Sequence, residues 1–137
     1  MTGLSFVMDG VPVGKGRPRF SRKTGHVYTP EKTARYEERL AWAAQCEMKG
    51  RPLFEGPLEV RLTALMPVPA SKPVKWKAAA LGGLHRPTGK PDADNVAKVL
   101  DALNGVVWRD DAQIVELHVS KTYGDKPGLC VWVKSLA

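Results

Sequence analysis

Residues 58–68 alternate between apolar and polar side chains, and this pattern limits the folds that are open to the chain. Leucine, valine, alanine and methionine occupy every second position from 58 to 66, with glutamate, arginine and threonine at the positions between them as far as 63. Successive side chains of a strand point to opposite faces, so the pattern predicts a strand with one buried face. Such a strand needs neighbouring strands and a second layer over its apolar side.

Three further segments predict the other strands. Residues 4–8 are mostly apolar, residues 114–123 alternate again, and residues 128–135 are rich in valine. The turn sequence GDKPG separates the last two segments. Because it is so short, we expect these two strands to pair with each other as an antiparallel hairpin.

Helical patterns occur between the strands. Thr29 and Pro30 match an N-cap followed by proline at the first helical position, and the helix is expected to reach about Lys49. Residues 71–82 predict a short basic helix, and no repeat or linker divides the chain. We therefore expect one α/β (α+β) domain over residues 1–137, with a mixed sheet of about four strands packed by two or three helices.

The chain is strongly basic, with a formal net charge of +7 over 137 residues and a pI of about 9.6. No acid occurs between Asp9 and Glu31 or between Glu59 and Asp92, so the cations form two segments. A basic excess favours an anionic partner, most commonly nucleic acid. We expect the two segments to contact backbone phosphates, although a solvated loop would have the same composition. The candidate DNA-binding residues are Lys15, Arg17, Arg19, Arg22, Lys23, Lys72, Lys75, Lys77, Arg86 and Lys90.

Other features argue against several classes of protein. A hydrophobic content of 43% is too high for general disorder, and the apolar runs are too short to span a membrane. The first residues do not resemble a signal peptide. Cys46 and Cys130 show neither metal-ligand spacing nor a disulfide framework. We expect a cytoplasmic protein with reduced thiols and no membrane contact.

Acidic residues gather directly after the second basic segment, in the sequence PDADNVAK at residues 91–98 and in the DD pair at 110–111. A helix over residues 94–104 would direct one apolar stripe to the core, with the spacing i, i+3, i+4, i+7. The stripe consists of Val96, Val99, Leu100 and Leu103. The opposite face would present Asp94, Lys98 and Asp101.

Three aspartates are the candidate metal ligands: Asp92, Asp94 and Asp111. They converge if the strand from Ile114 lies beside the start of the helix. Carboxylates without a nearby histidine or cysteine form an oxygen-only site, which suits Mg²⁺ or Mn²⁺ rather than zinc. Such an ion would neutralise the acids, polarise a phosphate and lower the pKa of a bound water. Lys98 would contact the phosphate or orient the attacking water.

Simpler interpretations of these residues stay open from the sequence alone. Asp92 or Asp94 also fits an N-cap, and the DD pair fits a turn. Lys98 also fits an i, i+4 pair with Asp94, worth about 0.2–0.5 kcal/mol. Asp101 and Glu116 are interpreted mainly as a helix salt-bridge partner and a solvated strand residue, although both could lie near the metal.

The motifs closely resemble a known family. KPDADNVAKVLDALNG and DDAQIVELHVSKTY resemble the RusA-type Holliday-junction resolvases, which are common in bacteria and their prophages, and VGKGRPRF and YTPEKTARYEE resemble the front half of the phage-type members. The resemblance implies that Asp92, Asp94 and Asp111 bind a catalytic metal and that Lys98 is the catalytic lysine. It also implies a small α/β homodimer that needs Mg²⁺ and nicks two strands symmetrically across a four-way DNA junction.

One segment departs from the family pattern. KWKAAALGGLHRPTGK differs from the shorter, arginine-rich stretch of the founding members, so the resemblance does not extend to sequence preference or junction contacts.

The sequence therefore supports a Mg²⁺-dependent endodeoxyribonuclease that resolves junctions in DNA recombination and repair. Two alternatives are a non-catalytic nucleic-acid-binding accessory protein and a nuclease of the same chemistry that acts on other branched DNA.

Overall fold

The structure is a computed structural model that describes residues 3–15, 19–28 and 30–137. Arg17 and Thr29, which were assigned to DNA binding and to a helix N-cap, lie outside the described residues. The elements in chain order are β1 (Gly3–Asp9), β2 (Arg19–Phe20), β3 (Val27–Tyr28), α1 (Glu31–Met48), β4 (Leu58–Pro67), α2 (Val74–Leu81), α3 (Ala93–Lys98), a first 3₁₀ helix (Val99–Leu103), a second 3₁₀ helix (Asp111–Gln113), β5 (Ile114–Gly124) and β6 (Gly128–Ser135).

The central sheet has four strands in the order β1-β6-β4-β5. β6 is antiparallel to both β1 and β4, whereas β5 runs parallel to β4. β2 and β3 form a separate two-stranded sheet. The mixed four-stranded sheet with three α-helices confirms the predicted α+β class.

The predicted hairpin between residues 114–123 and 128–135 is wrong. β5 and β6 do not pair with each other, because β4 lies between them and pairs with both. β4 is paired along both of its edges, and its core-facing residues Leu58, Val60, Leu62 and Ala64 are at most 1% exposed. In this position neighbouring strands pair with both edges of β4, and its apolar side chains lie in the core.

One apolar core joins the helices to one face of the sheet. α1 contributes residues at intervals of four, and the strands contribute every second residue. The buried residues of these elements are Tyr36, Leu40, Ala44 and Met48 of α1, with Leu4, Met8, Leu58, Val60, Leu62, Ala64, Leu129, Val131 and Val133 of the sheet. α3 and the first 3₁₀ helix, which carry the acidic motif, belong to the same core.

The prediction of an α-helix over residues 94–104 is correct about which side chains are buried, but only part of the segment is α-helical. Val96, Val99, Leu100 and Leu103 are at most 3% exposed, as the apolar stripe predicted. The α-helical winding, however, ends at Lys98, and residues 99–103 continue as a 3₁₀ helix. Residues three apart eclipse in the tighter 3₁₀ winding, so both leucines of this turn still reach the core. Gly105 ends the segment with a φ of 78°.

β5 is an edge strand, and two apolar side chains near its start are exposed to solvent. Val115 is 62% exposed and Leu117 is 45% exposed. The register shifts between Leu58 and Glu59 of β4, where Val115 is the extra residue on the β5 side. In the described part of the chain, none of the helices has the length and apolar character that crossing a membrane requires.

Candidate active site

α3 and the residue before it present three candidate catalytic side chains to solvent. Asp92 occupies the N-cap position with an extended backbone, but its side chain makes no capping hydrogen bond. Asp94 lies in the first turn and Lys98 in the last, and all three residues are exposed. Among the described residues, no ion pair within 4.0 Å joins Asp94 to Lys98. The carboxylates of the motif are therefore not used for helix capping or for a local i, i+4 pair.

Asp111 is held by a hydrogen-bonded turn that Gln113 organises. The backbone N–H of Gln113 donates to the side chain of Asp110, and the Oε1 of Gln113 accepts from the N–H groups of Arg109 and Asp110 at 2.9 and 3.1 Å. Its Nε2 donates to the carbonyls of Phe54 and Gly56 at 3.0 and 3.1 Å. These bonds tie the DD turn to the loop before β4, and Asp111 is half-buried in this turn.

Carboxyl groups crowd around Asp111. A side-chain hydrogen bond with Asp110 raises the pKa of Asp111, and partial desolvation and the carboxyl group of Asp101 raise it further. Asp101 lies on the first 3₁₀ helix, on the continuation of the face that carries Asp94 and Lys98. The fold thus brings Asp101, which lies on this face, next to Asp111 of the DD turn.

Lys15 belongs to the first basic segment, between Asp9 and Glu31, which we call the basic arm, and its side chain reaches this acidic region. Its Nζ lies 3.1 Å from a carboxylate oxygen of Asp101 and 3.6 Å from one of Glu37. Burial lowers the pKa of Lys15, but the hydrogen bond to Asp101 and the charge of Glu37 outweigh that effect and raise it. Burial raises the pKa of Glu37, and Lys15 offsets part of this rise. Lys15 was assigned to DNA phosphate, and here its ammonium is paired within the chain.

The donor chemistry of the region fits a hard cation, because the carboxyl groups of Asp110 and Asp101 raise the pKa of Asp111, and a positive charge would stabilise its ionised form. Across residues 3–15, 19–28 and 30–137, no three His, Cys, Asp or Glu side chains form a group that could hold a metal ion. Asp92, Asp94 and Asp111 do not form such a group here, and their assignment as metal ligands stays a prediction.

Cations from the two basic segments line one open cavity beside the motif. The cavity has a volume of about 790 Å³, and both Arg19 and Lys90 border it. Its wall also contains Pro91 and Asn95 of the motif. The base of the arm packs here closely, because a Cβ at Gly14 would lie 2.8 Å from the Cβ of Pro91 and 3.0 Å from that of Asn95. The arm therefore starts directly against the motif.

The other candidate DNA-binding cations are distributed over two surfaces. Arg22 and Lys23 are exposed in the turn between β2 and β3. Lys75 and Arg86 are exposed and Lys77 is half-buried, on α2 and the segment that follows it. Together with Arg19 and Lys90 at the cavity, the cations of the β2–β3 turn and those of α2 and the segment after it form two basic surfaces that suit a polyanion.

Trp76, flanked by lysines in the sequence KWK, belongs to an aromatic cluster. His85 stacks on its ring at a centroid distance of 4.4 Å, and the ring of Tyr123 contacts it at 5.6 Å in an edge arrangement. The Nζ of Lys72 lies 5.0 Å from the Trp76 ring centre. This cluster packs the segment after α2 against β5, and it engages Lys72 as a cation–π partner.

Sequence reasoning undervalued two residues of the site. Asp101 was interpreted mainly as a salt-bridge partner, yet it contacts both Lys15 and Asp111. The available signal was its position seven residues after Asp94, which places it on the same helical face. Gln113 was included in the DDAQIVELHVSKTY motif but given no role, although it follows the DD pair at the spacing of a capping box.

Comparison with known proteins identifies the chain's relatives. The model of the RusA endodeoxyribonuclease family matches residues 9–134, nearly the whole chain. The chain belongs to the RusA family. A Bacillus subtilis strain 168 protein described as the uncharacterized protein YqaN is 37% identical to it over 142 residues, covering 100% of this chain and 99% of the relative. Membership of the RusA family supports endodeoxyribonuclease activity and action on branched DNA.

Proposed function

We propose that this RusA-family protein is a Mg²⁺-dependent nuclease that resolves four-way DNA junctions by paired symmetric nicks, with Mn²⁺ as a possible substitute ion. In this role it would act in DNA recombination and repair in the cytoplasm of a bacterium or on behalf of a phage. The observation that carries the proposal is the cavity that Arg19 and Lys90 both line, together with Pro91 and Asn95 of the motif. A phosphate held there by the two cations would lie next to carboxylates that alone would repel it.

Asp92, Asp94 and Asp111 would hold the ion, and Asp101 lies near enough to Asp111 to support the same charge. The ion, when bound, supplies Lewis-acid activation of a phosphate and a bound water of lowered pKa. Lys98 is exposed on the same helical face as Asp94, so its ammonium is available to donate to a phosphate oxygen as negative charge develops there. The Gln113 turn keeps the backbone of Asp111 in place during these contacts.

We propose a homodimer as the active form, because two equivalent nicks need two active sites related by a twofold axis. One site per subunit would meet each of the two equivalent strands. The measurement is the molar mass in solution by light scattering, free and with a junction bound, and a monomer that cleaves both strands at equal rates would contradict the dimer.

The test of the activity uses a labelled synthetic four-way junction, incubated with Mg²⁺ or with EDTA. We expect paired nicks only with the metal. Asp94→Asn and Asp111→Asn should lower the cleavage rate at least about a hundredfold, because a metal ion contributes several kcal/mol to transition-state stabilisation. Junction binding should be unchanged or tighter, because each substitution removes a negative charge near phosphate.

Asp125→Asn is the matched control, because Asp125 is exposed in the turn between β5 and β6. It should cleave as the wild type does. A metal-independent shift of the junction without any cut would favour the non-catalytic accessory protein. Faster cleavage of forks or flaps than of four-way junctions would assign the same chemistry to another branched substrate.

A further inference from the structure

Lys121 of β5 makes two hydrogen bonds to the chain that leads into the acidic motif. Lys121 pairs with Ala64 in the parallel ladder between β4 and β5, and Ala64 faces the core. The side chain of Lys121 therefore points toward the helical layer. Its Nζ donates to the carbonyl of Gly89 at 2.6 Å and to that of Pro91 at 3.0 Å.

These bonds act directly on the backbone of Asp92. The carbonyl of Pro91 belongs to the peptide group that joins Pro91 to Asp92. The next carbonyl, that of Asp92 itself, accepts the N–H of Val96 at 3.0 Å. Both peptide planes that meet at the Cα of Asp92 are thus held, one by β5 and the other by the first turn of α3.

The partners of Lys121 suit an orienting role. Within the described residues, no carboxylate lies within 4.0 Å of the Nζ of Lys121, and the Nζ donates to the two carbonyls instead. A charged donor makes shorter and stronger bonds to carbonyls than a neutral one does. The residue is half-buried on a sheet strand, which is a more rigid support than the loop it contacts.

We infer that Lys121 is a positioning residue that orients Asp92 for metal binding. Without the ammonium, the peptide before Asp92 loses its support from the sheet, and the carboxylate must be ordered when the ion binds. Residues that orient metal ligands in this way influence metal affinity without touching the metal. The inference rests on the proposed role of Asp92 as a ligand.

The test compares Lys121→Met with Lys134→Met. Lys134 is an exposed lysine of β6 whose side chain has no hydrogen bond or ion pair among the described residues, so the control removes the same charge from the same sheet. Mn²⁺ binding to the free protein is measured by calorimetry, and junction binding is measured in EDTA by fluorescence anisotropy. We expect Lys121→Met to weaken Mn²⁺ binding about tenfold and to raise the Mg²⁺ concentration for half-maximal cleavage by a similar factor.

Junction binding in EDTA should match that of Lys134→Met, and Lys121→Arg, which keeps charged donors, should restore part of the Mn²⁺ affinity. If circular dichroism shows Lys121→Met to be unfolded, Lys121→Gln takes its place under the same criteria.

Equal Mn²⁺ affinity in Lys121→Met and Lys134→Met would overturn the inference while the proposed function stands. Weaker junction binding with unchanged Mn²⁺ affinity would also overturn it, since Lys121 would then be a phosphate contact. A wild-type protein that neither binds Mn²⁺ nor cleaves junctions would instead refute the proposed function, and the inference with it.

Discussion

The ammonium nitrogen of Lys15 lies 3.1 Å from a carboxylate oxygen of Asp101, although 86 residues separate the two along the chain. Lys15 is the last residue of the described range 3–15. Asp101 is exposed on the first 3₁₀ helix, which continues from α3. The pair therefore connects the start of the basic arm to the acidic region.

The Lys15–Asp101 pair should stabilise the fold measurably. A double-mutant cycle with Lys15→Met and Asp101→Asn is expected to give a coupling energy of about 0.5–1 kcal/mol from urea unfolding, because the pair is partly shielded from solvent. The control is the Arg109–Glu55 pair, whose side chains are both 73% exposed. Its coupling energy should be smaller, and equal values for the two pairs would contradict a special role for Lys15.

Gly14→Ala should push the arm away from the motif. The added Cβ would lie 2.8 Å from the Cβ of Pro91, which is closer than such atoms approach in proteins. We expect the free energy of unfolding to fall by about 1–3 kcal/mol, as in other overpacked sites. Gly89→Ala is the control, because a Cβ there meets nothing within 4 Å. Equal stability of the two variants, measured by urea unfolding, would show that the arm can move without cost.

Gln113→Ala should destabilise the DD turn. The substitution leaves the N–H groups of Arg109 and Asp110 and the carbonyls of Phe54 and Gly56 without their partner. We expect a loss of about 1–3 kcal/mol in unfolding free energy and a lower cleavage rate.

The control for this turn is Gln45→Ala on the exposed surface of α1, which should change stability by less than about 0.5 kcal/mol. A Gln113→Ala protein with wild-type stability and wild-type cleavage would show that Asp111 does not depend on the turn.

Arg19→Gln and Lys90→Gln should each weaken junction binding and its dependence on salt. A cation that contacts one phosphate contributes about 0.9 to the slope of log K against log salt concentration. We expect each variant to reduce the slope by about that amount, measured by anisotropy in EDTA. Lys134→Gln, on β6, should leave the slope as it is in the wild type. Unchanged slopes for both cavity variants would indicate that the DNA phosphates bind to another surface.

Local patterns in the sequence determined which segments are strands and helices and which side of each is buried. The alternation in residues 58–68 predicted the buried face of β4, and the spacing of Val96, Val99, Leu100 and Leu103 predicted the buried face of the motif segment. Both predictions succeed because a strand repeats every two residues and a helix about every 3.6, so the buried face depends on neighbours in the chain.

Only the tertiary structure decided which elements became neighbours. A short turn between residues 123 and 128 suggested a hairpin, but β4 pairs with β5 along one edge and with β6 along the other, and so separates the two strands. The contact of Asp101 with Lys15 and the support of Asp92 by Lys121 likewise join residues far apart in sequence. No local period carries that information, since such contacts depend on how whole elements pack against one another.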